Sequence, residues 1–257
     1  MSHLGQTALI TGASSGVGAA TALQLAQLGI NVVVNYNSSL SGAQAVVKNI
    51  TDLGAQAIAV QGDVSQEKDC RRILEKTIER FGRLDILINN AGTTTFVPHH
   101  DLEGLTEDIW HQTLGVNLMG AFFMCRAAVP YLREAGSGVV VMTSSIASVT
   151  ANGSSIAYCA SKAGMNSLTK TLAKTLGSDG IRVNAVLPGL IDGDWAFNTW
   201  GGGDECQYGD LKAHFTDQTP LGHVVTTDDV ANTIVSFVTG SKYVTGQLLT
   251  LDGGFTL

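Results

Sequence analysis

Tyr158 and Lys162 stand four residues apart in a segment of helical periodicity, so their side chains share one helix face. A free phenol titrates at about pH 10, too high for ready proton exchange at neutral pH. An ammonium group beside it favours the phenolate and lowers that value, which makes the phenol a workable general acid or base. Tyrosine and lysine also meet at this spacing by chance in many helices, so the pair decides nothing alone.

A second constellation lies near the N-terminus. The apolar run Ala8–Ile10 ends in Thr11-Gly12-Ala13-Ser14-Ser15-Gly16-Val17-Gly18, and a helical pattern follows at once. Glycines at such a turn let the backbone approach a pyrophosphate, and the helix N-terminus offers free N–H groups and partial positive charge. The plain alternative is a tight turn that merely needs glycine. The spacing is GxxxGxG, not the commoner GxGxxG dinucleotide fingerprint.

The elements that must position these residues alternate along the whole chain. Continuous apolar, β-branched runs at Ala8–Ile10, Val32–Val34, Ala57–Val60, Ile86–Ile88, Val139–Met142, Val183–Val186 and Leu248–Leu251 read as parallel strands buried on both faces. Helical periodicity fills the intervals: about Gly18–Leu28, Gly42–Leu53, Glu67–Phe81, Thr106–Arg133, Ser155–Leu176 and Thr227–Val238. Repeated strand–helix units imply an α/β domain, doubly wound, with a seven-stranded parallel sheet between two helix layers. No linker or internal repeat divides residues 1–257, which read as a single domain. The stretch 190–217 breaks the rhythm with Trp195, Phe197, Trp200 and Gly201-Gly202-Gly203, and reads as a substrate-binding loop or lid.

Composition narrows the function. With 44% hydrophobic and 14% charged residues the chain suits a compact globule. A formal net charge of −7 weighs against a nucleic-acid or anionic-membrane partner. No secretory pattern opens the sequence and no apolar run approaches the roughly 20 residues that cross a bilayer, so a cytoplasmic protein is expected. The four cysteines, Cys70, Cys125, Cys159 and Cys206, form no CxxC pair, and His99-His100 lacks carboxylate company. They read as incidental thiols and loop histidines, with no metal site.

Taken together the motifs resemble the short-chain dehydrogenase/reductase family over essentially the whole chain. They run in order: the glycine turn, Gly62-Asp63-Val64, Asn89-Asn90-Ala91-Gly92, Asn117, Ser144-Ser145, Tyr158-Cys159-Ala160-Ser161-Lys162, Pro188-Gly189, Tyr243-Val244-Thr245-Gly246-Gln247 and Leu251-Asp252-Gly253-Gly254. The resemblance implies hydride transfer between a nicotinamide and a carbonyl or secondary alcohol, with Tyr158 as acid/base. Lys162 would hold the nicotinamide ribose and depress the tyrosine pKa. Ser145, 13 positions before Tyr158, would bond the substrate oxygen, leaving Ser144 structural. Asn117 would keep a water near the lysine for proton relay. Gly12, Ser14, Ser15, Gly16, Val17 and Gly18 would cradle the cofactor phosphates. Asp63 and Val64 would frame the adenine, Asn90, Ala91 and Gly92 would let the cofactor pass, and Pro188, Gly189 and Ile191 would flank the nicotinamide. The family's usual threonine after this point is missing from Ile191-Asp192-Gly193-Asp194. A non-catalytic nucleotide sensor or scaffold is the alternative, but it has no use for Asn117, Ser145, Tyr158 and Lys162 together.

After the second strand the chain reads Tyr36-Asn37-Ser38-Ser39, with no acid to bond ribose hydroxyls and repel a 2′-phosphate. Tyr36, Asn37 and Ser38 would therefore face the adenosine ribose, and NADP(H) is favoured over NAD(H). No arginine accompanies them. The sequence is similar to 3-oxoacyl-carrier-protein reductases, sugar dehydrogenases and polyketide-type ketone reductases alike. The acidic net charge lowers the carrier-protein option. Trp195, Phe197 and Trp200 suit a hydrophobic or ring-containing small-molecule substrate, or a subunit interface. Helices around Thr106–Arg133 and Ser155–Leu176 carry apolar residues on more than one face, including Phe122, Phe123, Leu168 and Leu172. Together with the resemblance this implies a homotetramer, with a dimer as the alternative.

Overall fold

The computed structural model describes residues 3–257. The β-branched runs form strands β1 (Thr7–Ile10), β2 (Asn31–Tyr36), β3 (Ala57–Gln61), β4 (Ile86–Asn89), β5 (Val139–Thr143) and β6 (Arg182–Pro188). Two short strands, β7 (Ile191–Asp192) and β8 (Val225–Thr226), pair with each other, and β9 (Leu248–Leu251) closes the main sheet. The main sheet has seven parallel strands in the order β3-β2-β1-β4-β5-β6-β9.

Among the described residues ten α-helices link the strands: α1 (Gly16–Gln27), α2 (Leu40–Asp52), α3 (Glu67–Phe81), α4 (Glu107–Leu114), α5 (Ala121–Ala135), α6 (Ala147–Thr150), α7 (Ile156–Leu176), α8 (Asp194–Thr199), α9 (Glu205–Gln218) and α10 (Thr227–Thr239). Strand side chains alternate between faces, and both faces are covered. Ala8, Ile10, Val32, Val34, Ile86 and Ile88 pack under α1, α2 and α10. Leu9, Val33, Leu87, Val140 and Met142 pack under α3, α5 and α7. Each fully buried Leu or Ile here contributes about 1.5–3 kcal/mol of apolar transfer.

The chain begins in mid-sheet, winds outward to β3, then crosses back past β1 to β4. That reversal opens a crevice at the carboxyl ends of β1 and β4, where open α/β sheets bind ligands. Thr11 fastens the two sides, because its hydroxyl oxygen accepts the backbone N–H groups of Asn90 (3.0 Å) and Ala91 (2.9 Å).

Three expectations need correction. The helix expected over Thr106–Arg133 is interrupted between α4 and α5 by one π turn, Gly115–Gly120. The continuous run Glu107–Ala135 is also long and apolar enough to cross a bilayer by length and composition, contrary to the reading that no run approaches that length. Met124, Cys125, Ala128 and Leu132 turn its apolar side into the core against the sheet, which accounts for that composition. The stretch 190–217 is no bare loop, since it holds β7, α8 and nearly all of α9.

Candidate active site

The carboxyl ends of the central strands open on a cleft of about 690 Å³. At one end lies the turn between β1 and α1. Gly12 has φ +60°, and a Cβ there would stand 2.9 Å from the Cα of Ala91. At Gly18 a Cβ would meet the Gly12 carbonyl at 2.5 Å and Asn90 Nδ2 at 2.6 Å. Asn90 Nδ2 donates to the carbonyls of Thr11 and Gly12, both at 3.1 Å, so β4 and the turn are locked together. No side chain caps α1 and its first turn carries no acid, which leaves its leading N–H groups free for an anion. A pyrophosphate-bearing ligand fits this cradle. Gly12, Ser14, Ser15, Gly16 and Val17 line the cleft, whereas Gly18 lies behind them as packing.

Asn37, Ser38 and Ser39 border the cleft after β2, and no carboxylate ends that strand. Tyr36 departs from expectation. It is 9% exposed and sits in the core among Val32, Val34 and Val46, not on the cleft wall. Alternation along β2 is the reason: Asn35 and Asn37 take the cleft-side face, so Tyr36 takes the other. Asn35 is spent internally, donating to the carbonyls of Val60 (3.2 Å) and Gly62 (3.1 Å). Asp63 and Val64 line the cleft beyond β3, and Asp63 Oδ1 accepts the Ser65 N–H at 2.9 Å.

The other end holds the candidate chemistry. Ser155 caps α7 by accepting the Tyr158 N–H at 3.2 Å, and so sets the first turn that carries the phenol. Tyr158, Lys162 and Ser145 all line the cleft. Burial pushes the Tyr158 phenol up to about 12, while a hydrogen bond with the Ser145 hydroxyl pulls it down. Burial also pulls the Lys162 ammonium down to about 8. Lys162 Nζ donates to the Thr143 carbonyl at 2.7 Å and lies 5.6 Å from the Tyr158 ring centroid. The expected lowering of the phenol is therefore reversed by burial. Desolvation outweighs the Ser145 hydrogen bond, and the same burial disfavours the charge on Lys162.

Ser144 is buried and donates to Asn166 Oδ1 (2.7 Å) and the Lys162 carbonyl (3.2 Å), as a framework residue does. Asn117, inside the π turn, is fully buried and does not line the cleft. Its Oδ1 accepts the Thr93 N–H at 2.8 Å, and its Nδ2 donates to the Thr93 carbonyl and Ser161 Oγ, both at 3.0 Å. Asn90, Ala91, Gly92, Pro188, Gly189 and Ile191 all lie along the cleft.

The comparisons with known proteins fit this geometry. A family model described as enoyl-(acyl carrier protein) reductase matches residues 12–256. The protein assigned as ketoacyl reductase 2 of the granaticin polyketide synthase in Streptomyces violaceoruber is 40% identical, over 96% of this chain and 94% of that one. The 3-oxoacyl-[acyl-carrier-protein] reductase of a Staphylococcus epidermidis strain is 36% identical, over 98% of this chain and 99% of its own. The crystal structure of levodione reductase superposes with a TM-score of 0.91 at 30% identity, covering 98% of this chain and 97% of that one. The chain belongs to the short-chain dehydrogenase/reductase family. It is a nicotinamide-dependent oxidoreductase acting between a carbonyl and an alcohol.

Sequence reasoning missed several residues of this short-chain reductase's cleft. Thr93, His111, Asn152 and Phe215 line it, although none of them belongs to a motif. Of the three aromatic residues in 190–217 singled out earlier, Trp195 and Trp200 line the cleft. Phe197 instead packs edge-on against Tyr208, with centroids 5.6 Å apart.

Proposed function

We propose that this enzyme interconverts a ketone and a secondary alcohol with Tyr158 as proton donor and acceptor. The observation that carries the reading is the meeting of Ser145, Tyr158 and Lys162 on one wall of a cleft that begins at the glycine turn. The nicotinamide group, when bound, supplies or accepts the hydride. Ser145 orients the substrate oxygen through its hydroxyl. Tyr158 delivers its proton to that oxygen in reduction and removes it in oxidation. Lys162, fixed by Thr143, holds a ribose hydroxyl and keeps positive charge beside the phenol. Asn117 is a positioning residue, bracing Thr93 and Ser161, the residue next to Lys162 in sequence.

NADP(H) is the preferred cofactor in this reading. Asn37, Ser38 and Ser39 supply hydrogen-bond donors at the close of β2, and no carboxylate there repels a 2′-phosphate. Residues 190–217 serve as the substrate lid. The assembly is a homotetramer, supported by exposed apolar side chains on the α4–α5 run, Met119 at 50% and Phe122 at 40%.

Tyr158→Phe tests the acid/base assignment. The phenol's loss removes one hydrogen bond from a buried ring, so the variant keeps its fold and its cofactor affinity. Its kcat is expected to fall by about 10²–10⁴-fold under single-turnover conditions. Retention of more than about a tenth of the wild-type rate would falsify the assignment.

A further inference from the structure

The substrate end of the cleft is walled by aromatic side chains on the segment between β6 and β8. Trp195 reaches Gly92. A Cβ built on Gly92 would lie 3.8 Å from Trp195 Cη2, 3.8 Å from Lys162 Nζ and 3.6 Å from Asn117 Oδ1. The indole edge therefore closes on Gly92, the glycine that Lys162 Nζ also approaches, while Trp195 keeps 44% of its surface open. Trp200 and Phe215 extend the wall, with Ile146 and Leu190.

This wall is built in advance. Tyr208 donates its hydroxyl to Asp192 Oδ1 at 2.8 Å and accepts the Gly193 N–H at 3.1 Å, and Lys212 pairs with the same aspartate. These contacts hold β7 and the start of α8, which carries Trp195, against α9. Phe215 stacks on Phe255 with centroids 5.0 Å apart and planes 24° apart. A preformed aromatic surface binds a flat apolar ring with little ordering cost.

Charge points the same way. Among the described residues, the ionisable side chains lining the cleft are Asp63, His111, Tyr158, Lys162 and Asp194, with no arginine. Lys162 is buried and committed to Thr143, and Asp194 stands next to Trp195. An anionic substrate finds no free guanidinium or exposed ammonium here, and a net charge of −7 repels an acidic carrier domain.

We infer that the substrate is a free, uncharged ketone carried on a fused or aromatic ring, selected by Trp195. The inference rests on the ketone–alcohol reading above. Three probes test it with the complete enzyme and NADPH: 2-tetralone, a neutral linear 3-oxoacyl thioester of N-acetylcysteamine, and acetoacetate as the anion. The expected kcat/KM for 2-tetralone exceeds that for the thioester by about tenfold or more, and that for acetoacetate by a wider margin. Trp195→Ala lowers the tetralone-to-thioester ratio by about 10–100-fold, mainly through KM, whereas Trp195→Phe holds it within about threefold. Quenching of tryptophan fluorescence by 2-tetralone gives a second readout, strong in the wild type and weakened in Trp195→Ala. A ranking led by the thioester or by acetoacetate overturns the ring assignment. So does an unchanged ratio in Trp195→Ala, or an absence of quenching up to the solubility limit. Turnover that survives Tyr158→Phe overturns the acid/base reading instead, so the two failures are told apart.

Discussion

Lys162→Met should make the protein more stable and leave it a poor catalyst. Burial lowers the Lys162 ammonium from its usual 10.5 to about 8, so the folded state resists a charge that the unfolded chain carries freely. At about 1.4 kcal/mol per pH unit, that resistance costs about 3 kcal/mol at pH 7. Methionine removes this cost and fills a similar volume, but it leaves the Thr143 carbonyl without its donor, a loss of about 1–3 kcal/mol. The expected net at pH 7 runs from zero to about 2 kcal/mol in favour of the variant. The sign reverses its course with pH. Between about pH 8 and 10.5 the unfolded chain binds more protons at Lys162 than the folded one, so wild-type stability rises there while the variant gains nothing. The variant's advantage should shrink by about 2–3 kcal/mol between pH 7 and 10. Tyr158 acts in the opposite sense only above about pH 10, where its raised value begins to matter. Urea unfolding at pH 7, 8.5 and 10, at fixed protein concentration and with unchanged m, measures the difference. A variant less stable than wild type by over about 1 kcal/mol at pH 7, or a gap independent of pH, refutes the reasoning.

Other outcomes follow from the same geometry. Asn117→Ala strands the Thr93 N–H and carbonyl, and should cost about 2–4 kcal/mol in chemical denaturation; a loss below about 0.5 kcal/mol would contradict the bracing role. NADPH should bind more tightly than NADH, and Asn37→Asp should reverse that order by repelling the 2′-phosphate; isothermal titration of both cofactors decides it. Light scattering at micromolar concentration should find four chain masses, and a monodisperse single-chain mass would rule the assembly out.

The sheet was legible because β1, β2, β4 and β5 each carry a continuous apolar run (Ala8–Ile10, Val32–Val34, Ile86–Ile88 and Val139–Met142), as strands covered on both faces require. The glycine turn and the Tyr158–Lys162 pair were legible for a related reason, since each depends on local spacing. Tyr36 was misplaced because β2 is buried on both sides, and composition alone does not tell which face an aromatic ring takes. The π turn around Asn117 left no trace, because one widened turn does not disturb an apolar pattern continuing on both sides. Helix α9 was missed because none of its residues is fully buried and the triplet Gly201-Gly202-Gly203 stands just before its cap Asp204. Phe215 had no signal at all, since its partner Phe255 lies in the C-terminal tail, 40 residues on.

The crossover from β6 to β9 has a consequence for how such an enzyme changes its diet. Trp195, Trp200 and Phe215 all belong to that one connection, whereas Asn117, Ser145, Tyr158 and Lys162 come from elements that precede it. The pairing of β6 with β9 runs from Ala185–Leu248 to Pro188–Leu251, and Trp195, Trp200 and Phe215 lie outside it. Lengthening a surface connection is cheap, at about 0.6 kcal/mol for each doubling. On the proposed assignment, the residues that choose the ketone fall in a single contiguous stretch of gene, separate from those that transfer the proton.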